Sequence, residues 1–132
     1  FLEDLRAWRE ASLAKTDMCG IFPVWKRETT QFARDVLAAG FKAYLSCAEG
    51  KVGPGFVGRE FNESLLADLP RRIDPCGEYG EFHTFVYDGP IFRTPVDVMV
   101  GEIVIRDGRY YADLLPGGAV ELSNENVAIP PV

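Results

Sequence analysis

Between residues 1 and 47 two helical patterns alternate with two short apolar runs, joined by brief connections. This order constrains the fold more than any other feature. A strand followed by a short crossover helix returns to the same sheet in parallel, with helices packed on the sheet faces. The first helix is expected over residues 1–15. Leu2, Leu5 and Trp8 recur every third position on one face, and Glu3, Asp4, Arg6, Arg9 and Glu10 occupy the rest. Residues 18–25, Met-Cys-Gly-Ile-Phe-Pro-Val-Trp, read as a buried strand ending near Pro23. A second helix over 28–39 turns Phe32, Val36 and Leu37 inward and stops at Gly40, where a left-handed cap is wanted. Residues 41–47 read as the next strand. The expected class is α/β, with a partial parallel sheet in residues 1–47. Ligands of such sheets sit beyond the carboxyl ends of the strands, which points to residues 22–27.

The pattern changes after Cys47. Residues 48–58 hold four glycines and a proline, a loop between two parts of the chain. Asn62 is a suitable N-cap for a helix over 63–69 that Pro70 ends, with Phe61 and Leu66 placed to form a hydrophobic staple. A strand is expected over 82–87, then a turn at Asp88-Gly89-Pro90. Apolar runs at 98–105 and 110–114 flank Arg106-Asp107-Gly108-Arg109, and an Asp-Gly pair in that setting predicts a hairpin. Residues 48–132 therefore read as a small α+β subdomain, with a surface tail from Pro116. The first helix has no N-cap residue before it, and Phe1 is not an initiator methionine. The expectation is a fragment lacking an N-terminal part.

Charge and cysteine usage exclude several classes. The 132 residues carry 14 Lys and Arg against 20 Asp and Glu, a net charge of -6. Such a balance repels phosphate backbones and anionic membranes, so neither nucleic acid nor a membrane is an expected partner. No apolar run approaches the ~20 residues of a membrane span. Cys19, Cys47 and Cys76 form no C-x-x-C pair, and His83 is the sole histidine, so no metal site is expected on these residues. A cytoplasmic location is the default for this usage.

The densest group of reactive side chains is Asp74-Pro75-Cys76-Gly77-Glu78-Tyr79-Gly80-Glu81-Phe82-His83-Thr84. In a strand from Phe82 the side chains alternate, so Glu81 and His83 are expected on one face and Phe82 and Thr84 on the other. A carboxylate beside an imidazole suits proton transfer, amine binding or magnesium ligation. The competing reading is an acidic surface turn. Cys76 as a nucleophile would have only His83 nearby in sequence as a base, and its flanking carboxylates oppose thiolate formation, so a packed cysteine is favoured. Trp25-Lys26-Arg27 reads either as a base-stacking and phosphate-binding group or as an interface aromatic with two solvated cations. Arg59 reads either as an anion ligand or as half of a surface pair with Glu60. Residues 53–58 have three glycines but lack the Lys-Ser or Lys-Thr ending of a phosphate loop.

Residues 76–85, Cys-Gly-Glu-Tyr-Gly-Glu-Phe-His-Thr-Phe, followed by Asp88-Gly89-Pro90-Ile91-Phe92, resemble the diphthine–ammonia ligase family. That family lies within the N-type ATP pyrophosphatases of the adenine-nucleotide alpha-hydrolase superfamily. Phe22-Pro23-Val24-Trp25-Lys26-Arg27, residues 39–43 and Gly58-Arg59-Glu60-Phe61 match in the same order. The resemblance implies a partial Rossmann-like (HUP-type) parallel sheet over residues 1–47, followed by the substrate-side subdomain. It implies ATP and Mg2+ as cofactors, a carboxylic-acid substrate activated as an acyl-adenylate, and ammonia as the attacking amine. A homo-oligomer is a further expectation. Carried over by position, Glu78, Glu81, His83 and Thr84 are the candidate catalytic residues. Gly77, Gly80 and Arg59 are candidates for substrate binding, and Trp25 and Arg27 for the nucleotide. Glu81→Gln is then expected to cost at least ~100-fold in amide formation. His83 stands where these ligases often carry another Glu, and Gly89 where they often carry Cys or Ala, a version closer to bacterial relatives. The family's Ser-Gly-Gly-x-Asp-Ser phosphate loop does not occur here. Without it the alternative is a non-catalytic nucleotide- or metabolite-binding module, or an acidic docking domain for a basic partner.

Overall fold

Local chemistry fixes the helix limits. The Glu28 carboxylate accepts the Thr30 and Gln31 amides at 2.9 and 2.7 Å, which starts the helix α2, Thr29–Ala38. Gly40, at φ +84°, closes it in the left-handed conformation. Asn62 Oδ1 accepts the Leu65 amide at 2.9 Å and starts α3, Glu63–Asp68. The first helix, α1, spans Glu3–Leu13, and no side chain caps its start. A computed structural model describes residues 2–118; of the surface tail expected from Pro116, Pro116 itself ends a strand and residues 119–132 lie outside the described residues.

Among the described residues there are four strands, β1 Lys42–Glu49, β2 Phe82–Asp88, β3 Val98–Arg106 and β4 Arg109–Pro116, with a short 3-10 turn at Pro54–Phe56. They form one sheet in the order β2-β1-β4-β3. Every neighbouring pair is antiparallel. The hairpin expected at Asp107-Gly108 is present. Both residues take positive φ, +50° and +76°, the geometry that matches the twist of paired strands.

The parallel sheet expected from the helix–strand–helix–strand order is absent among the described residues. Residues 18–22 have no regular structure and 23–26 form a turn, so no strand occurs there, and Met18 and Ile21 are exposed. A parallel strand needs a neighbour running the same way, and β1 has none here. Its backbone groups are instead taken by β2 and β4, and by residues 58–61. The fold is mixed α/β around an antiparallel sheet. The boundary expected at residue 47 runs through β1.

Register divides the sheet into two faces. Leu45 pairs with Thr84, and Ala48 pairs with both Phe82 and Tyr110. This face holds the core, in which Leu45, Ala48, Phe82 and Ala112 join Ala33 of α2, Leu65 of α3, Val57, Phe61 and Ile73. On the other face one cross-strand row runs His83, Cys47, Tyr111, Val104. Tyr44 and Tyr87 stack beside it with centroids 4.7 Å apart, and the Tyr87 hydroxyl donates to Glu60 at 2.8 Å. Burial, then the Glu60 carboxylate, push the Tyr87 phenol well above its ordinary pKa. Among the described residues no helix is long and apolar enough to cross a membrane.

Candidate functional site

The loop over residues 74–81 is a braced structure. Asp74 Oδ1 accepts the Cys76 and Glu78 amides at 2.8 and 3.3 Å, and its Oδ2 accepts the Thr29 hydroxyl at 2.7 Å. The Glu81 carboxylate, only 2% exposed, accepts the Asp74 amide at 3.1 Å and the Tyr79 amide at 3.3 Å. Arg109 donates to the Gly80 carbonyl at 3.3 Å and to Glu49 at 2.8 Å, which ties the loop to the sheet. Gly77 and Gly80 sit at φ +65° and +77°. A Cβ on Gly77 would also lie 2.9 Å from the Phe82 carbonyl oxygen, so that turn requires glycine.

This bracing separates the side chains that adjacency in sequence placed together. Glu81 precedes β2 and turns inward, whereas His83 is exposed on the face opposite the core, so the two share no face. Thr84 points the other way, into an apolar groove of about 350 Å³ between α2 and the sheet, lined also by Phe32, Val36, Phe41, Phe61 and Cys76. Arg59 pairs with Asp68 at 2.7 Å and lies over the Phe56 ring at 5.3 Å; its surface partner is not Glu60. Trp25 and Arg27 part as well. Arg27 pairs with Asp35 at 2.7 Å and covers Phe32, while Trp25 faces α1.

What the tertiary structure brings together is Glu78 with Trp25. Both line a cleft of about 240 Å³ with Leu5, Arg6, Arg9 and Phe22. The Arg6 guanidinium lies 4.6 Å from the Phe22 ring centre and 4.7 Å from that of Trp25, and it also pairs with Glu10 at 2.8 Å. Lys26 pairs with Glu3, which holds the 22–27 turn against α1. Sequence reasoning assigned Arg6 and Arg9 to a solvated helix face. Their three-residue spacing puts both on one side of α1, which is the signal that could have marked them as a pair facing one partner. The cleft offers two guanidinium groups, two aromatic walls and one carboxylate. Guanidinium groups beside aromatic rings are chemistry suited to an anionic group, and a carboxylate is suited to acid–base work.

Cys76 is a packed thiol. Its Sγ donates to the Thr29 carbonyl at 3.3 Å, and burial, then the Asp74, Glu78 and Glu28 carboxylates, push its pKa up to about 11. At pH 8 its thiolate fraction is then on the order of one in a thousand. Iodoacetamide at pH 8 is expected to label exposed Cys19 at least ~10-fold faster than Cys76, checked by peptide mass spectrometry. Comparable rates at the two sites would reject the packed-thiol assignment.

Among the described residues no group of three or more His, Cys, Asp or Glu is placed to hold a metal ion, and both oxygens of Glu81 are taken by amides. No phosphate-cradling glycine loop occurs either.

An antiparallel α/β domain with a glycine–glutamate loop at one sheet end is the class that this geometry defines. Residues 28–114 match the sequence profile of the diphthamide synthase C-terminal domain. The chain belongs to that family. It is 27% identical over 95 residues to a diphthine–ammonia ligase of Rattus norvegicus and 26% identical over 95 residues to that of Homo sapiens. Each match covers 67% of this chain and 36% of the relative, so the chain spans about a third of the length of these proteins.

Proposed function

We propose that this chain supplies the substrate-side part of an ATP-dependent ligase that joins ammonia to a carboxylic acid. The observation that carries the reading is the meeting of Glu78 and Trp25, distant in sequence, across a cleft that also holds Arg6 and Arg9. Arg6 and Arg9 would attract the anionic carboxylate substrate, and Trp25 and Phe22 would wall off its apolar part. Glu78 would accept a proton from ammonium or from the attacking amine, since the nucleophile must be neutral. Glu81, Gly77 and Gly80 would shape the loop that aims Glu78 rather than touch the substrate. Thr84, His83, Arg59 and Arg27 lie outside this cleft and have no role in it.

ATP would activate the carboxylate as an acyl-adenylate, and ammonia would displace AMP to leave an amide. The triphosphate and any magnesium would be held by protein outside this sequence; in support, no group of three or more His, Cys, Asp or Glu among the described residues is placed to hold a metal ion. Residues 1–27 would join that nucleotide domain, which is the Rossmann-like parallel sheet that the resemblance implies. In support, Leu2, Trp8, Met18 and Ile21 expose apolar side chains that such a neighbour would cover. The acid would be a small molecule or a modified protein side chain, the latter by analogy with the ligases named above.

Pyrophosphate release tests the reading. A full-length protein containing this sequence, given ATP, ammonium and a panel of carboxylic acids, is expected to release pyrophosphate with at least one acid and to form the matching amide. ATP or AMP binding without pyrophosphate release across the panel would favour the non-catalytic binding module.

A further inference from the structure

Among the described residues, the hairpin β3–β4 leaves β3 at the edge of the sheet, paired on one side only. Edge strands are usually blunted by prolines, lysines or short length. β3 has none of these: Val-Met-Val-Gly-Glu-Ile-Val-Ile-Arg runs nine residues, and Met99, Ile103 and Ile105 are exposed. A register shift between Val100 and Ile103 interrupts its first half, so the regular edge is residues 102–106.

We propose that this edge pairs with β3 of a second copy, making a two-fold dimer with one continuous eight-stranded sheet. The residues themselves choose the register. A two-fold axis perpendicular to a sheet places one residue opposite its own copy. Centred on Glu102, the pairing would oppose two like charges. Centred on Ile103 or Ile105, it would set Glu102 or Arg106 against Val104. Centred on Val104, it sets Ile103 against Ile105 twice and Glu102 against Arg106 twice. That register alone matches apolar to apolar and charge to opposite charge.

The environment of Arg106 supports the same occupant. Its partner within the hairpin is Arg109, a like charge, and Arg109 is already committed to Glu49. Neither Arg106 nor Glu102 has an ion-pair partner among the described residues. The second copy's Glu102 supplies the carboxylate that Arg106 lacks, and the two isoleucine pairs set exposed Ile103 against exposed Ile105.

Sedimentation velocity over a concentration series is the test. The chain is expected to dimerise, and Arg106→Glu, which opposes carboxylates at two places, to weaken the dimer at least about tenfold. The swap Glu102→Arg with Arg106→Glu is expected to restore it, which separates charge pairing from misfolding. Val104→Cys in a Cys19→Ser background should form an intermolecular disulfide on mild oxidation, because directly opposed residues lie within about 4.5–5.5 Å. A monomer at every concentration would overturn the proposal. So would a dimer that ignores Arg106→Glu, or one in which Val104→Cys yields no cross-link.

Discussion

Glu81→Ala is expected to destabilise the domain by about 3 kcal/mol, because the carboxylate is buried and holds two backbone amides of its own loop. A hydrogen bond to a charged group contributes roughly 1.5–3 kcal/mol, and each buried donor left unpaired adds a further penalty of about 1–3 kcal/mol. Alanine strands the Asp74 and Tyr79 amides together. Asp74 already accepts two amides and the Thr29 hydroxyl. Glu81→Gln should cost less than alanine. One carboxamide oxygen keeps an acceptor, but the amide nitrogen then faces a donor. Urea denaturation at neutral pH measures both, with an unchanged m-value as the sign that only stability moved. If Glu81→Ala melts at the wild-type midpoint, the bracing role is rejected and a chemical role for Glu81 regains its place.

The second large effect lies at Glu78. Glu78→Gln is expected to lower amide formation by about 100-fold, or about 2.7 kcal/mol in the barrier, while stability changes by less than about 1 kcal/mol. The contrast follows from position. Glu81 is enclosed by the loop, whereas Glu78 lines the cleft with Trp25, Arg6 and Arg9. The substitution keeps the shape of the side chain and removes its proton affinity, so binding of the acid should be largely retained. Rate assays on a full-length protein, paired with urea melts, separate the two glutamates. Wild-type turnover in Glu78→Gln would remove this carboxylate from the chemistry. A loss of turnover matched by a loss of folding would return it to a structural role.

Much of the local structure was legible because its causes are local. Asn62 and Gly40 mark helix ends by chemistry confined to a few residues, and Asp107-Gly108 selects a tight turn by what its two backbones tolerate. The packed character of Cys76 was legible for the same reason, since Asp74 and Glu78 are sequence neighbours. The acidic balance and the glycine–glutamate block were also read directly, and with them the family. Pairing partners were not legible. The apolar run at 18–25 has strand composition, yet strands exist only with neighbours, and β1 found β2 and β4 instead.

The candidate site divides along the same line. By itself the sequence determined which residues crowd one loop: Glu78, Glu81, His83 and Thr84 between two turn-forming glycines. Only the tertiary structure decided that their side chains are not gathered into one cluster. Glu81 turns into the loop, His83 and Thr84 take opposite faces of β2, and Glu78 meets Trp25 and the arginines of α1. The physical reason is that alternation fixes a side chain's direction only inside a strand, and Glu81 stands one residue before β2 begins. There the buried carboxylate accepts the amides of Asp74 and Tyr79, and those two bonds outweigh the alternation that would have set Glu81 beside His83.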